Sequence, residues 1–415
     1  MKEDGYHQAA GAVSDATMTP FVSGEHRGRL AHLIALGIAI EKERGIQYVP
    51  TSGAEKIDVA AVLKEIRGID FETDTGMMKQ YPNYQTRFIT THKNSCRCAK
   101  FSPDGKYIAT GSADTSIKLL DVEKMMSYSQ LKNEAEKIEG EDMQLSRPVI
   151  RTFYDHTAAI NDLDFHPTFS VLASCGRDCS VKFYDYNSSV KRSFKQLQDT
   201  HNIRTICFHP CGDYLLAGTE HTMIRLYDIK SEKPYINPID KHNHFGPINM
   251  VRYAADGRIF ASCSKDGSVK LWDGVDNSCV NTIPNAHAGR EVTTVQFSRN
   301  KKYLLTAGKD AMIRIWDVGS GREIKRIYTG NQKHPYWDNR LQVCFSYTED
   351  YIFSSDENNN SGVIWDTRTG ELVQRLSGHN GVVRWIASSP TDPHAMTCSD
   401  DHRARFWVEE TPSSD

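Results

Sequence analysis

The chain has 415 residues, with 50 Lys and Arg against 53 Asp and Glu and a formal net charge of −3. That length is ample for a sizeable core and leaves room for two or three domains. The near balance of charge excludes a global pull toward nucleic acid or anionic membrane, so any such contact needs a local basic patch.

The opening MKEDGYHQAAGAVSDA carries early acids and lacks the apolar run of a secretory signal. HRGRLAHLIALGIAIEKERG (26–45) shows no β-like alternation and predicts a helix, N-capped by Ser23 and ended by Gly45. Its apolar stretch, residues 30–40, is too short and too polar to span a bilayer. Leu30, Leu33, Ile34 and Ile38 mark one face, while Leu36 and Ile40 lie on others. A helix apolar on most sides must be buried on most sides. Residues 1–67, with further helical stretches at 5–16 and 56–68, make a meagre core alone, so self-association through these residues is expected, with docking onto the rest of the chain as the alternative. An acidic, turn-rich linker follows at 68–83. The ten cysteines are scattered and form no CxxC…CxxC array, which fits reduced thiols and no metal site.

From residue 84 the texture changes to strand-like segments and turn signals such as the PDG of CAKFSPDGKYIATGS (98–112). One pattern recurs seven times, as in SADTSIKLLD (112–121), GRDCSVKFYD (176–185), SKDGSVKLWD (264–273) and SDDHRARFWV (399–408). Its ninth position is Leu120, Tyr184, Tyr227, Trp272, Trp316, Trp365 and Trp407, mostly 42 to 49 residues apart. Six residues earlier stand Asp114, Asp178, His221, Asp266, Asp310, Asn359 and Asp401. His92, His156, His244 and His379 each precede the ninth position by 28 residues, His201 by 26 and His287 by 29, with His334 a weak sixth-repeat counterpart.

A period of this length with His, turn, Asp and terminal Trp-Asp is the signature of WD40 repeats. The fold expected is mainly β, a seven-bladed propeller over 84–408 beside the N-terminal helical module, with a short tail at 409–415. In SVKLWD, Val269 and Leu271 share one pleat face and Lys270 and Trp272 the other, because both faces of a blade meet neighbours. Resemblance to the WD40 family implies that Asp266, His244, Ser262 and Trp272 form a hydrogen-bonded chain across the blade. Such a chain is structural, since a buried carboxylate or imidazole must be paired. The repeat ends on a third strand near the C-terminus, so 84–92 is expected to supply the last blade's outer strand and to protect its edge.

Three departures stand out. Residues 123–147 are an excess between repeats one and two, polar and expected as a projecting loop with a helical turn near SQLKNEAEKIE. Repeat six has Gly362 at the apolar position and Val363 at the usual basic one, and is preceded by NQKHPYWDNR (331–340), whose Trp337 is a candidate contact. Lys118, Lys182, Arg225, Lys270, Arg314 and Arg405 all fall at the seventh position, one per repeat, which reads as architecture rather than an RNA-binding stripe. In TCSDDHRARFW (397–407) the repeat requires Asp401 and Trp407 but not Asp400, His402 or Arg403. Those three, with Lys265 and Lys309 on the same rim, are the candidate partner surface.

Segments ATGSADTSIKLLD, VIRTFYDH (149–156), SKDGSVKLWDGV and TCSDDHRARFW closely resemble the WD40 subunit of cleavage stimulation factor. The resemblance runs from about residue 4 to the C-terminus. It implies a nuclear, non-catalytic scaffold in cleavage and polyadenylation of messenger-RNA precursors. It further implies an N-terminal module that self-associates into a homodimer and a propeller that contacts the HAT-repeat subunit. The RNA-recognition-domain subunit joins indirectly, and the C-terminal domain of RNA polymerase II is a further associate. The family has another apolar helical segment upstream of the point matched by MKEDGYHQAA, so the module here is expected to be short. No direct sequence-specific RNA binding, membrane contact or cofactor is expected. The repeats by themselves leave open an unrelated WD40 adaptor, such as a ubiquitin-ligase substrate receptor or signalling scaffold. No P-loop, nucleophile elbow or HExxH motif points to an enzyme.

Overall fold

The computed structural model describes residues 69, 71, 81–135, 147–237, 239–329 and 342–410. All of them belong to the unit spanning 65–415. Leu30, Leu33, Ile34, Leu36, Ile38, His334 and Trp337 lie outside the described residues.

Seven four-stranded antiparallel sheets follow one another along the chain. Blades one to six span 96–153, 160–198, 203–236, 248–283, 292–328 and 343–376. Blade seven takes three strands from 383–409 and its fourth from the start of the ring. That fourth strand, β1 (Tyr84–Thr91), runs antiparallel to β28 (Arg403–Glu409), with Tyr84 opposite Glu409 and Thr91 opposite Arg403. The closure expected for this segment is therefore present. It is held at both ends, by His92 N–H donating to His402 O at 2.7 Å and Glu410 N–H to Asn83 O at 2.8 Å.

Alternation along each strand makes the core. Val269 and Leu271 of blade four pack with Val292, Val295 and Phe297 of blade five. Trp272, on the opposite face, packs with Leu216 of blade three and stacks on Phe260 at 5.8 Å. Each such burial is worth roughly 1.5–3 kcal/mol before opposing terms. Blade six keeps the architecture despite its sequence. A Cβ on Gly362 would come within 3.2 Å of Leu376 and 3.4 Å of Ile386, so these side chains already fill the space an apolar residue would take. Val363, at the basic position, is buried.

Two segments differ from the sequence reading. The insertion after repeat one begins as a helix, α1 (Val122–Ala135), rather than as a loop. Val122 and Met125 are buried in a cluster with Phe406 and Val408, and Tyr128 meets Phe88 of β1 edge-on at 5.2 Å. Val122, Met125 and Met126 at helical spacing supply this face, which the polar average of the segment conceals. The stretch read as a linker is anchored at Ile69 and Phe71. Ile69 is buried with Tyr303 and Phe345, its N–H donates to Glu349 Oε2 at 2.9 Å, and Phe71 packs edge-on against Tyr303.

Around the central channel, among the described residues, six innermost strands carry a β-bulge at the same place. The bulged residues are Arg97, Asn161, Arg204, Asn249, Thr293 and Arg384. A bulge re-aims one side chain, and all six line a single recess of about 220 Å³ at one end of the channel.

Candidate functional site

The recurrent polar residues form closed chains inside the blades. His156 Nδ1 lies 2.7 Å from Asp178 Oδ2, and its Nε2 is 2.6 Å from Ser174 Oγ. His244 sits between Asp266 at 3.2 Å and Ser262 at 2.6 Å, and Trp272 Nε1–H donates to Ser262 Oγ at 2.8 Å. Blade five repeats this with His287, Asp310, Thr306 and Trp316. Blade seven does so with His379, Asp401, Thr397 and Trp407. In blade one, His92 is held by Ser116 and Thr110, with Asp114 at 3.6 Å. In blade six, Trp365 still donates to Ser354 Oγ at 2.8 Å.

Blade three corrects the sequence alignment. His201 is exposed and stacks near His221 instead of entering a chain. Asp199, which stands at the 28-residue spacing, takes the histidine's place. It accepts a hydrogen bond from Tyr227 OH and pairs with Arg225 Nε at 2.6 Å.

The seventh-position bases have a common architectural task. Lys118 donates to Thr91 O, Lys182 to Asp155 O, Lys270 to His242 O, Arg314 to Ala286 O and Arg405 to Gly378 O. Each ties down the loop that delivers the blade's histidine. None is left free to form a basic stripe.

Burial and pairing oppose one another in these chains. Burial holds the imidazoles of His244, His287 and His379 below their ordinary value, against the pull of their aspartates. His166 and His394 shift the same way. His92, with Cys96 and Asp114 beside it, goes up to about 9 despite burial. Burial also works against the Asp178 carboxylate, but hydrogen bonds from His156 and Ser180 outweigh it and bring it down to about 2. Asp266 and Asp401 are lowered in the same manner.

A depressed histidine binds fewer protons folded than unfolded, so its stabilising contribution is complete above about pH 6.5 and falls as the solution is acidified. The depressed aspartates add a second loss from about pH 4 downward. With five depressed histidines against one raised among the described residues, the melting temperature is expected to fall on going from pH 7 to pH 5, and again below pH 4. Thermal melts across that range check this. A flat profile between pH 7 and pH 5 would show that the histidines bind protons equally in both states.

The turn between the second and third strands carries the residues singled out in sequence. Lys309 and Asp400 reach the channel mouth. Lys309 Nζ pairs with Glu291 at 3.0 Å, and Asp400 receives Arg384 Nε at 2.7 Å. Lys265, His402 and Arg403 are exposed and do not line the recess. His402 occupies a left-handed turn position (φ 67°) that is Gly267 in blade four, so the repeat does place a backbone demand there. Sequence reasoning missed Arg97, Arg177, Arg204 and Arg384, which line the recess with Lys309. For Arg97, Arg204 and Arg384 the signal was a register along the first strand of each repeat, whereas Arg177 shares the turn position of Lys265, Lys309 and Asp400.

Closed chains of this kind, repeated around a ring of seven sheets, define a WD-repeat β-propeller. The family profile described as "WD domain, G-beta repeat" matches residues 83–121, 147–185, 192–228, 237–273, 277–317 and 370–408. It passes over blade six, which the structure nevertheless builds. A second profile, "CTF50, LisH domain", matches residues 1–47. Cleavage stimulation factor subunit 50 of Arabidopsis thaliana is 40% identical over 408 residues, covering 97% of this chain and 92% of the plant protein. The chain belongs to the cleavage stimulation factor subunit 50 family. More distant likeness extends to nuclear distribution protein PAC1 of Arthroderma benhamiae, 27% identical over 70% of this chain and 69% of that protein. The WD repeat domain-containing protein 83 homolog of Dictyostelium discoideum is 22% identical over 77% of this chain and 97% of its own length.

Proposed function

We propose that the protein is a non-catalytic scaffold subunit of cleavage stimulation factor, acting in the nucleus in pre-mRNA 3′-end cleavage and polyadenylation through protein–protein contacts. The observation that carries this reading is identity to a cleavage stimulation factor subunit across nearly the whole chain rather than across the repeats alone. The ring supports it chemically, because its buried His–Asp pairs are closed by serine or threonine inside the blades. The proposed partners are the HAT-repeat subunit, through it the RRM subunit, and the C-terminal domain of RNA polymerase II. The LisH match at 1–47 supports homodimerisation.

Affinity purification of the full chain from nuclear extract, read by mass spectrometry, is expected to recover the HAT-repeat and RRM subunits. Recovery of cullin-ligase components in their place would overturn the proposal in favour of an unrelated adaptor. Arg403 is exposed at the start of β28. Charge reversal, Arg403→Glu, is expected to weaken recovery of the HAT-repeat subunit at an unchanged melting temperature. A large drop in melting temperature would make Arg403 structural instead.

A further inference from the structure

The bulges at the channel mouth give six blades a side chain turned inward, and most of these finish their bonding within the ring. Asn161 Nδ2 donates to Ile203 O and Asn249 Nδ2 to Val292 O, both at 2.7 Å, and Thr293 Oγ1 donates to Ala307 O at 3.2 Å. Arg384 clamps Asp400. Arg97 and Arg204 do not follow suit. Among the described residues neither guanidinium has a hydrogen-bond or ion-pair partner, and the same holds for Arg177, which lines the recess from the turn of blade two.

Arg177 acts on both of the others. Burial and then Arg177 oppose the charge on Arg97; on Arg204 burial opposes it most, and Glu291 and Glu220 each relieve it by more than Arg177 adds to the opposition. Arginine does not discharge in response. The crowding is therefore a standing cost in the free protein, relieved when an anion enters.

We propose that this mouth binds a phosphomonoester dianion carried on a peptide side chain, with Arg97, Arg177 and Arg204 as its ligands. Charge supports the assignment. Five bases line the recess (Arg97, Arg177, Arg204, Lys309 and Arg384) against three acids, Glu220 in the lining with Glu291 and Asp400 paired beside it. The excess of two matches the charge of about −1.5 to −2 on a phosphorylated side chain near neutral pH. A carboxylate would leave half of it uncompensated. Guanidinium forks suit phosphate oxygens, and three of them from three blades can meet three terminal oxygens.

Geometry selects a peptide over RNA. The recess is the end of a channel ringed by bulges, open to a group that enters end-on. A phosphomonoester has one substituent and can do so, whereas a phosphodiester is flanked by sugars on both sides and carries a single charge. RNA sites also offer aromatic faces for stacking. The aromatic residue of the lining, Trp385, is packed against three core clusters instead. The proposal goes beyond complex membership and does not depend on it.

The test is fluorescence anisotropy on the full chain with a labelled Gly-Ser-Gly-phosphoSer-Gly-Ser-Gly peptide. Saturable binding is expected, competed by inorganic phosphate and at least about tenfold weaker when serine or glutamate replaces phosphoserine. Arg97→Gln and Arg204→Gln are each expected to weaken binding about tenfold or more. Glu220→Gln, an exposed change that does not threaten folding, is expected to tighten it. Equal binding of the phosphoserine and serine peptides overturns the proposal, as does indifference to all three substitutions. An oligouridine that binds as tightly as the phosphopeptide and loses affinity with the same arginines overturns the peptide assignment.

Discussion

Deleting residues 84–91 is expected to abolish the cooperative unfolding of the whole propeller. This strand covers the β28 edge, and Tyr84 is buried with Phe353, Leu376 and Trp407, so its loss opens the seam between blades six and seven. Phe88 packs with the cluster around Met125 and Phe406 and against Tyr128, so the first turns of α1 lose their seat as well. Buried Tyr84 alone represents roughly 1.5–3 kcal/mol, to which partly buried Phe88, the ladder of seven residue pairs and an exposed edge are added. Calorimetry should replace one sharp transition with a broad one at lower temperature, accompanied by association through the open edge. A truncated chain that melts like the full one would show that the ring is held shut by other contacts.

The second large effect is expected at Arg252. Its two terminal nitrogens each lie 3.1 Å from Asp162 Oδ2, and Nη1 also donates to Thr205 Oγ1 and Ile206 O at 3.0 Å. Asp162 accepts in turn from Thr205 Oγ1 at 2.8 Å and Ile206 N–H at 3.2 Å. One buried ion pair thus staples blade two to blade four across blade three. Arg252→Met leaves Asp162 buried without its charge partner, which costs about 3–5 kcal/mol. Adding Asp162→Asn should restore part of that loss, because the uncompensated charge is the larger share of the penalty. Denaturant midpoints of the two singles and the double, taken as a cycle, measure it. A loss below about 1 kcal/mol for Arg252→Met would mean that water reaches the pair.

How far the sequence discloses this molecule depends on which strand is read. The third strand of each repeat carries an aromatic or apolar residue, Trp in the last four, at a fixed place with Asp after it in the first six, so blade number, closure and the chains through His244 or His379 were legible there. The innermost strand was not, because a bulge breaks alternation by one residue. Arg97 stands between Cys96 and Cys98, both fully buried, and a simple alternation puts it on a face without saying that the face is the channel. In blade three, spacing was the better guide than residue type. Asp199 fills the histidine's place at the expected distance, while His201 is a histidine in the wrong place. The seats of Val122, Met125, Ile69 and Phe71 were hidden because two or three apolar residues in a polar stretch leave its average unchanged.

The order of synthesis gives the closing strand a further consequence. β1 leaves the ribosome among the first parts of the ring, while its partner, residues 403–409, is made last. At roughly 5–20 residues per second, the intervening chain takes about 15–60 s to appear. Throughout that interval Tyr84 and Phe88 have no seam to enter, and six blades can form in sequence while the seventh cannot. A chain cut short by a dozen residues at its C-terminus is thus as open as one lacking β1. The ring tests its own completeness, because its first and last strands must be present in the same molecule before it can shut.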